Sequence, residues 1–179
     1  SRTGYRAKYP ADFMLIATMN PCPCGFFGDN NYECSCNNNQ ISKYQNKISG
    51  PLLDRIDMVV NVTRVPTNRL IQKNHNGNSL PQYRSAIDVI NTAIHNQKNR
   101  YQNSYKFNIS LSQHDIKYNI NLTDAAKNLL DMASEKLNLS ARSYFKIVKI
   151  SRTIADLDNN SDILPSHISE ALQYRQSIK

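Results

Sequence analysis

Apolar positions along the 179-residue chain fall into two textures. Near the start, "FMLIATMN" (residues 13–20) is a short apolar run closed by Asn20 and the turn-forming Pro21, which predicts a buried strand. A second run, "MVVNV" (58–62), is rich in β-branched residues and predicts another. Two buried strands alone do not make a stable sheet, so either residues 1–65 form a poor domain or the remaining strands lie on sequence outside this chain.

Beyond Val65 the texture changes to a polar, aperiodic stretch containing Pro and Gly, which predicts a linker over residues 66–79. Residues 80–179 then read as a helical bundle. Tyr83, Ala86, Ile87, Ile90, Ala93 and Ile94 recur at three- and four-residue spacing, as one apolar helix face requires. A short turn or helix is expected around "SQHDIKYNI". Thr123 is a candidate N-cap for a helix presenting Ala126, Leu129, Leu130, Ala133 and Leu137. Ser140 opens the next, with Tyr144, Ile147, Val148, Ile154 and Ala155 inward. The last has Pro165 in its first turn and Ile168, Ala171 and Leu172 as its apolar face. The predicted fold is therefore an α/β piece over residues 1–65 followed by an all-α bundle. No internal repeat is visible, and the one low-complexity patch is "CNNNQ" (36–40).

A hydrophobic content of 40% supports a core, and no stretch reaches the roughly 20 apolar residues of a membrane span. With no signal-peptide pattern at the start, the expectation is a soluble, cytoplasmic protein. The formal charge is +8. Residues 1–65 hold 7 basic and 5 acidic side chains against 15 and 9 in residues 66–179, so the excess lies in the helical part. That suits a polyanionic partner such as nucleic acid or nucleotide, and equally a solvated basic surface.

Candidate chemistry lies in three places. Cys22 and Cys24, then Cys34 and Cys36, form two CxC pairs flanking a Gly- and Asn-rich turn, which would gather four sulfurs at the end of a hairpin. Tetrahedral zinc, metal-free thiols and disulfides are the alternatives; a catalytic thiol is disfavoured because every His lies from His75 onward. Asn20, at the carboxyl end of its expected strand, sits where α/β folds bind ligands, or is simply a turn former before Pro21. Arg142 falls in a first helical turn, where a cation opposes the helix dipole unless a phosphate sits at the same end. Arg55, between Asp54 and Asp57, is expected by default to pair with one of them.

Taken in order, "PADFMLIATMNPCPCG", "QISKYQNKISGPLLDRIDMVVNV" and "LNLSARSYFKIVKISRTIADLDNNSDILPSHISEALQYR" closely resemble the C-terminal portion of the magnesium-chelatase-like AAA+ ATPases, competence-protein type. The resemblance covers nearly all the chain and is weakest over residues 66–120. It implies an AAA+ core edge followed by a helical lid. It implies roles too: Asn20 as sensor 1, orienting the attacking water; Arg55 as the arginine finger, reaching a neighbouring subunit's nucleotide; Arg142 as sensor 2 on the lid. Arg152 is a weaker alternative for a phosphate contact, its plainer reading being an exposed helical charge.

None of the glycines, Gly4, Gly25, Gly28, Gly50 and Gly77, begins or completes GxxxxGK[ST], and no Asp-Glu dipeptide is present. The chain is thus expected to be a fragment starting just before the sensor 1 strand, unable to hydrolyse ATP alone. The resemblance implies ATP and Mg²⁺ as cofactors of the intact protein, and a homo-oligomeric ring, expected to be a hexamer. It further implies a DNA-acting motor in branch migration and natural transformation. The rival expectations are a chelatase-like remodelling chaperone and a non-enzymatic, zinc-stabilised nucleic-acid-binding module.

Overall fold

The computed structural model describes residues 4, 7–8, 13–62, 79–103 and 106–175. The chain divides into two compact units, residues 1–47 and 48–179. The expected linker over 66–79 lies outside the described residues except for Ser79, which begins a helix.

The described residues of the first unit are built largely of turns, with one helix, α1 (Asn38–Gln45). The asparagine run is its start signal. Asn37 Oδ1 accepts from the Gln40 amide at 2.9 Å, and Gln40 Oε1 accepts from the Asn37 amide at 3.0 Å, a reciprocal capping box. Among the described residues of this unit only Cys22 and Ile41 are buried. The predicted buried strand at 13–20 is not realised: the segment has no regular structure and no β-pairing among the described residues, and Ile16 is 82% exposed. A strand needs neighbours to satisfy its backbone and cover its side chains, and no described residue supplies them. The same holds for 58–62, where Val62 is 86% exposed. Among the described residues the only β-pairing is an isolated parallel bridge between Leu122 and Ile163, so the α/β part of the expected fold is absent from them.

The second unit is helical. It contains α2 (Gly50–Leu53), α3 (Ser79–Tyr101), a 3₁₀ turn (Asn108–Ser110), α4 (Gln113–Asn119), α5 (Asp124–Lys136), α6 (Ala141–Leu157) and α7 (Pro165–Gln173). The predicted caps are in place: Thr123 Oγ1 accepts from the Ala126 amide at 3.3 Å and Ser140 Oγ from the Ser143 amide at 3.1 Å. Asn138 and Asn159 take left-handed φ of 47° and 55° after α5 and α6. There the Leu139 and Asn160 amides donate back to Ser134 and Ala155, closing both helix ends.

Helix α6 is central, packing on α3 and α7, and α7 also meets α5. Ala126 and Leu130 of α5, Ile147, Val148, Ile154 and Ala155 of α6 and Ile168 and Ala171 of α7 form one buried cluster. The apolar stripe of α3 departs from expectation. Its second half is buried at Ala93 and Gln97, whereas Tyr83, Ile87 and Ile90 are at least half exposed. Among the described side chains of α3 burial is confined to this second half, so periodicity marked the stripe correctly and overstated its coverage.

Candidate functional site

In the first unit the four cysteines converge. The chain reverses through turns: the Gly25 amide donates to the Cys22 carbonyl at 3.1 Å, and Gly25 has φ +84°, a conformation L side chains rarely adopt. All four Sγ atoms lie within 4.8 Å of one another. Cys22 stands 3.3 Å from Cys24 and 3.7 Å from Cys34, and Cys24 stands 3.5 Å from Cys34. A tetrahedral ZnS₄ centre with Zn–S of about 2.3 Å puts its sulfurs about 3.8 Å apart. All four cysteines are free.

Backbone amides favour the anionic form of two of the sulfurs, Cys22 and Cys24. The Phe26 amide, facing Cys24, is the chief cause that holds that thiol down at about 5. Amides of Phe27 and Gly25 face Cys22. Cys34 is pushed up to about 12: its facing Cys36 amide acts the other way, but burial and the neighbouring sulfurs of Cys24 and Cys22 outweigh it. Four thiols this close cannot all ionise without a cation among them. The cluster can therefore hold a metal ion.

In the second unit, Arg55 and Arg142 are both exposed. Arg142 is the second residue of α6, beside the cap Ser140, and its guanidinium has no hydrogen-bond or ion-pair partner among the described residues. Arg55 follows α2 in a turn. It does not pair with Asp54 or Asp57, contrary to the default expectation; its Nη1 donates to the Pro51 carbonyl at 2.6 Å. Asp54 is engaged elsewhere, accepting from Ser143 Oγ at 2.8 Å. Lys146 Nζ donates to the carbonyls of Asp54 at 2.6 Å and Ile56 at 2.7 Å. The residues flanking Arg55 thus touch the helix that carries Arg142. Asn20 is exposed in the first unit, following an unpaired segment rather than a strand.

Arg152 is not an exposed charge. It is fully buried, pairs with Asp156 at 2.9 Å and donates to the carbonyls of Asn160 and Ser161 beyond the end of α6. Asp156 also accepts from Arg100 and from Asn108 Nδ2 at 2.9 Å, while Asn108 Nδ2 reaches Thr153 Oγ1 at 3.0 Å. Sequence reading missed this polar knot. The i,i+4 spacing of Arg152 and Asp156 was its one local signal, and such pairs are far commoner on surfaces. Lys146 was missed for a similar reason, since a lysine on an amphipathic helix reads as its solvent face.

No helix among the described residues is long and apolar enough to cross a membrane. The family described as "Magnesium chelatase, subunit ChlI" matches residues 1–70, and "Magnesium chelatase, subunit ChlI C-terminal" matches residues 84–175. The chain is 34% identical over all its 179 residues to competence protein ComM of Haemophilus influenzae, of which it covers 34%. It is 35% identical over 98% of its length to the uncharacterized protein YifB of Salmonella typhimurium, and 30% identical over 98% to YifB of Escherichia coli, covering 33% of each. The chain spans about a third of the length of these curated relatives.

Proposed function

The chain belongs to the magnesium chelatase ChlI family, and from that premise we propose that it is part of a ring-forming AAA+ ATPase that acts on DNA. In this reading residues 1–65 finish the nucleotide-binding core, 66–79 link, and 80–179 form the lid. The gap between the two family matches, residues 71–83, supports that division. ATP is the substrate and Mg²⁺ its counterion, with the phosphate cradle supplied by sequence other than these 179 residues. Asn20 positions the attacking water. Arg142 contacts the nucleotide of its own subunit, and Arg55 that of its neighbour in a ring, taken to be hexameric. A planar, permanently charged guanidinium suits both places because it stabilises charge spread over phosphate oxygens. The four thiolates hold a structural zinc, and the protein works in the cytoplasm.

The observation that carries this reading is Arg142: an exposed cation with no hydrogen-bond or ion-pair partner among the described residues, in the first turn of a capped seventeen-residue helix, where an anion would relieve the dipole conflict. The DNA substrate rests on the relative named a competence protein and on the basic excess in residues 66–179. A chelatase-like remodelling role is the second reading, favoured by the family's own description. Branched DNA discriminates, since it should stimulate ATP turnover only in the motor.

The test uses the full-length protein. Rings mixed from Arg55→Ala subunits and subunits with a disabled P-loop should recover ATPase activity, because each supplies what the other's shared site lacks. Rings shown to mix yet lacking recovered turnover would sink the trans role of Arg55.

A further inference from the structure

The stretch around Arg55 has no regular structure after α2, yet it is fastened to the helices at three points. Ser143 Oγ donates to the Asp54 carboxylate at 2.8 Å. One ammonium, Lys146 Nζ, donates to the carbonyls on either side of Arg55, at 2.6 and 2.7 Å. The Val59 amide donates to the Tyr174 carbonyl at the end of α7, at 2.8 Å. Beneath this strap, Leu53, Ile56 and Val59 line a cleft together with Ile147, Ile150 and Ala171.

The chemistry at position 146 is particular. Two carbonyls two residues apart both aim at one point, and a lysine satisfies both because its ammonium offers three donors on a flexible stem. Burial, and the like charge of Arg142, lower the half-buried ammonium, with Asp57 and Asp54 opposing that shift. Ser143 and Lys146 stand one and four residues after Arg142 on the same helix. Arg142 itself makes no hydrogen bond or ion pair to this network among the described residues, but its charge is felt at Lys146.

We propose that Lys146 is a positioning residue that locks the peptide around Arg55 to α6, so that the two exposed arginines move as one body. A shift of α6 when Arg142 meets nucleotide in its own subunit is then delivered to Arg55 at the neighbouring subunit's site. This rests on the roles given to Arg55 and Arg142 above.

The experiment uses Lys146→Met in the full-length protein, which keeps the stem and removes the donors. Turnover should fall by an order of magnitude or more, up to about 10²-fold as for a displaced catalytic group, with KM for ATP changed less than about twofold. Lys146→Arg, which can still donate to both carbonyls, should restore most of the loss. In mixed rings, Lys146→Met subunits should be rescued by partners that bind ATP but cannot hydrolyse it, because the partner's strap is intact and its Arg142 still meets nucleotide. Ser143→Ala, which removes one half-buried hydroxyl and no charge, should repeat the pattern more weakly and guards against misfolding of the lysine variant.

If Arg55→Ala is rescued while Lys146→Met and Ser143→Ala are not, the coupling is wrong though the finger assignment stands. Unchanged kcat in Lys146→Met also overturns it. Failure of Arg55→Ala itself to be rescued removes the functional reading and this inference together.

Discussion

Arg152 and Asp156 form an ion pair at 2.9 Å across one turn of α6, with the side chains 1% and 0% exposed. Arg100 approaches the same carboxylate from α3. Removing the carboxylate would leave two guanidiniums facing each other and Asn108 short of an acceptor. Asp156→Ala should therefore destabilise the helical unit by about 3–5 kcal/mol, the range for an orphaned buried charge, read as a lowered urea midpoint. A loss under about 1 kcal/mol would show that the knot is solvated in solution.

Metal analysis of protein purified without chelator should find about one zinc per chain, because all four sulfurs lie within 4.8 Å of one another and three of them stand close to tetrahedral spacing. Cys24→Ser should lose most of that zinc, and Gly25→Ala should weaken retention through strain at φ +84°. Chelation should abolish hydrogen-exchange protection in residues 22–45 and leave α5 to α7 protected, since the latter have their own core. Absent zinc in all preparations would exclude a structural centre.

The two serine and threonine caps offer a cleaner energetic check. Thr123→Ala and Ser140→Ala should each cost about 1 kcal/mol by thermal or denaturant unfolding. Their double variant should show the sum, because the residues cap different helices and share no hydrogen bond.

Acid should expose the Asp115 contact. The Lys106 ammonium, 2.9 Å away, together with the amide and hydroxyl of Ser112, holds this carboxyl well below its ordinary 3.8. A depressed carboxylate contributes fully above its unfolded value and loses that contribution as pH falls below 3.8 toward the folded value. The melting-temperature gap between wild type and Asp115→Asn should thus be constant from pH 7 to about 5 and close progressively below about 4. A gap that widens on acidification would refute the sign.

Much of the helical unit could be read from the sequence because its signals are local. Thr123 and Ser140 cap where they stand, and Ala126, Leu130, Ile147, Val148, Ile168 and Ala171 recur at helical spacing and are buried. The convergence of the cysteines followed similarly from their spacing. The strands failed because a strand is completed by neighbours that the pattern cannot contain. The environment of Arg152 and the double grip of Lys146 were illegible for a related reason, since each depends on partners up to 92 residues away. Arg55 was misjudged through proximity: its flanking aspartates were obvious partners in sequence, but the helix claims Asp54 first.

The run Phe13–Met19 has a practical consequence for anyone handling the chain. It contains no charge and no proline, and Phe13, Met14, Leu15 and Ile16 are each more than 60% exposed. An exposed, apolar segment whose backbone makes no β-pairing among the described residues is a template for intermolecular β-sheet, the ordinary seed of aggregation. Concentration, rather than temperature, should set the usable life of the isolated chain. A gatekeeper charge such as Ile16→Lys should raise the soluble limit without disturbing any buried side chain.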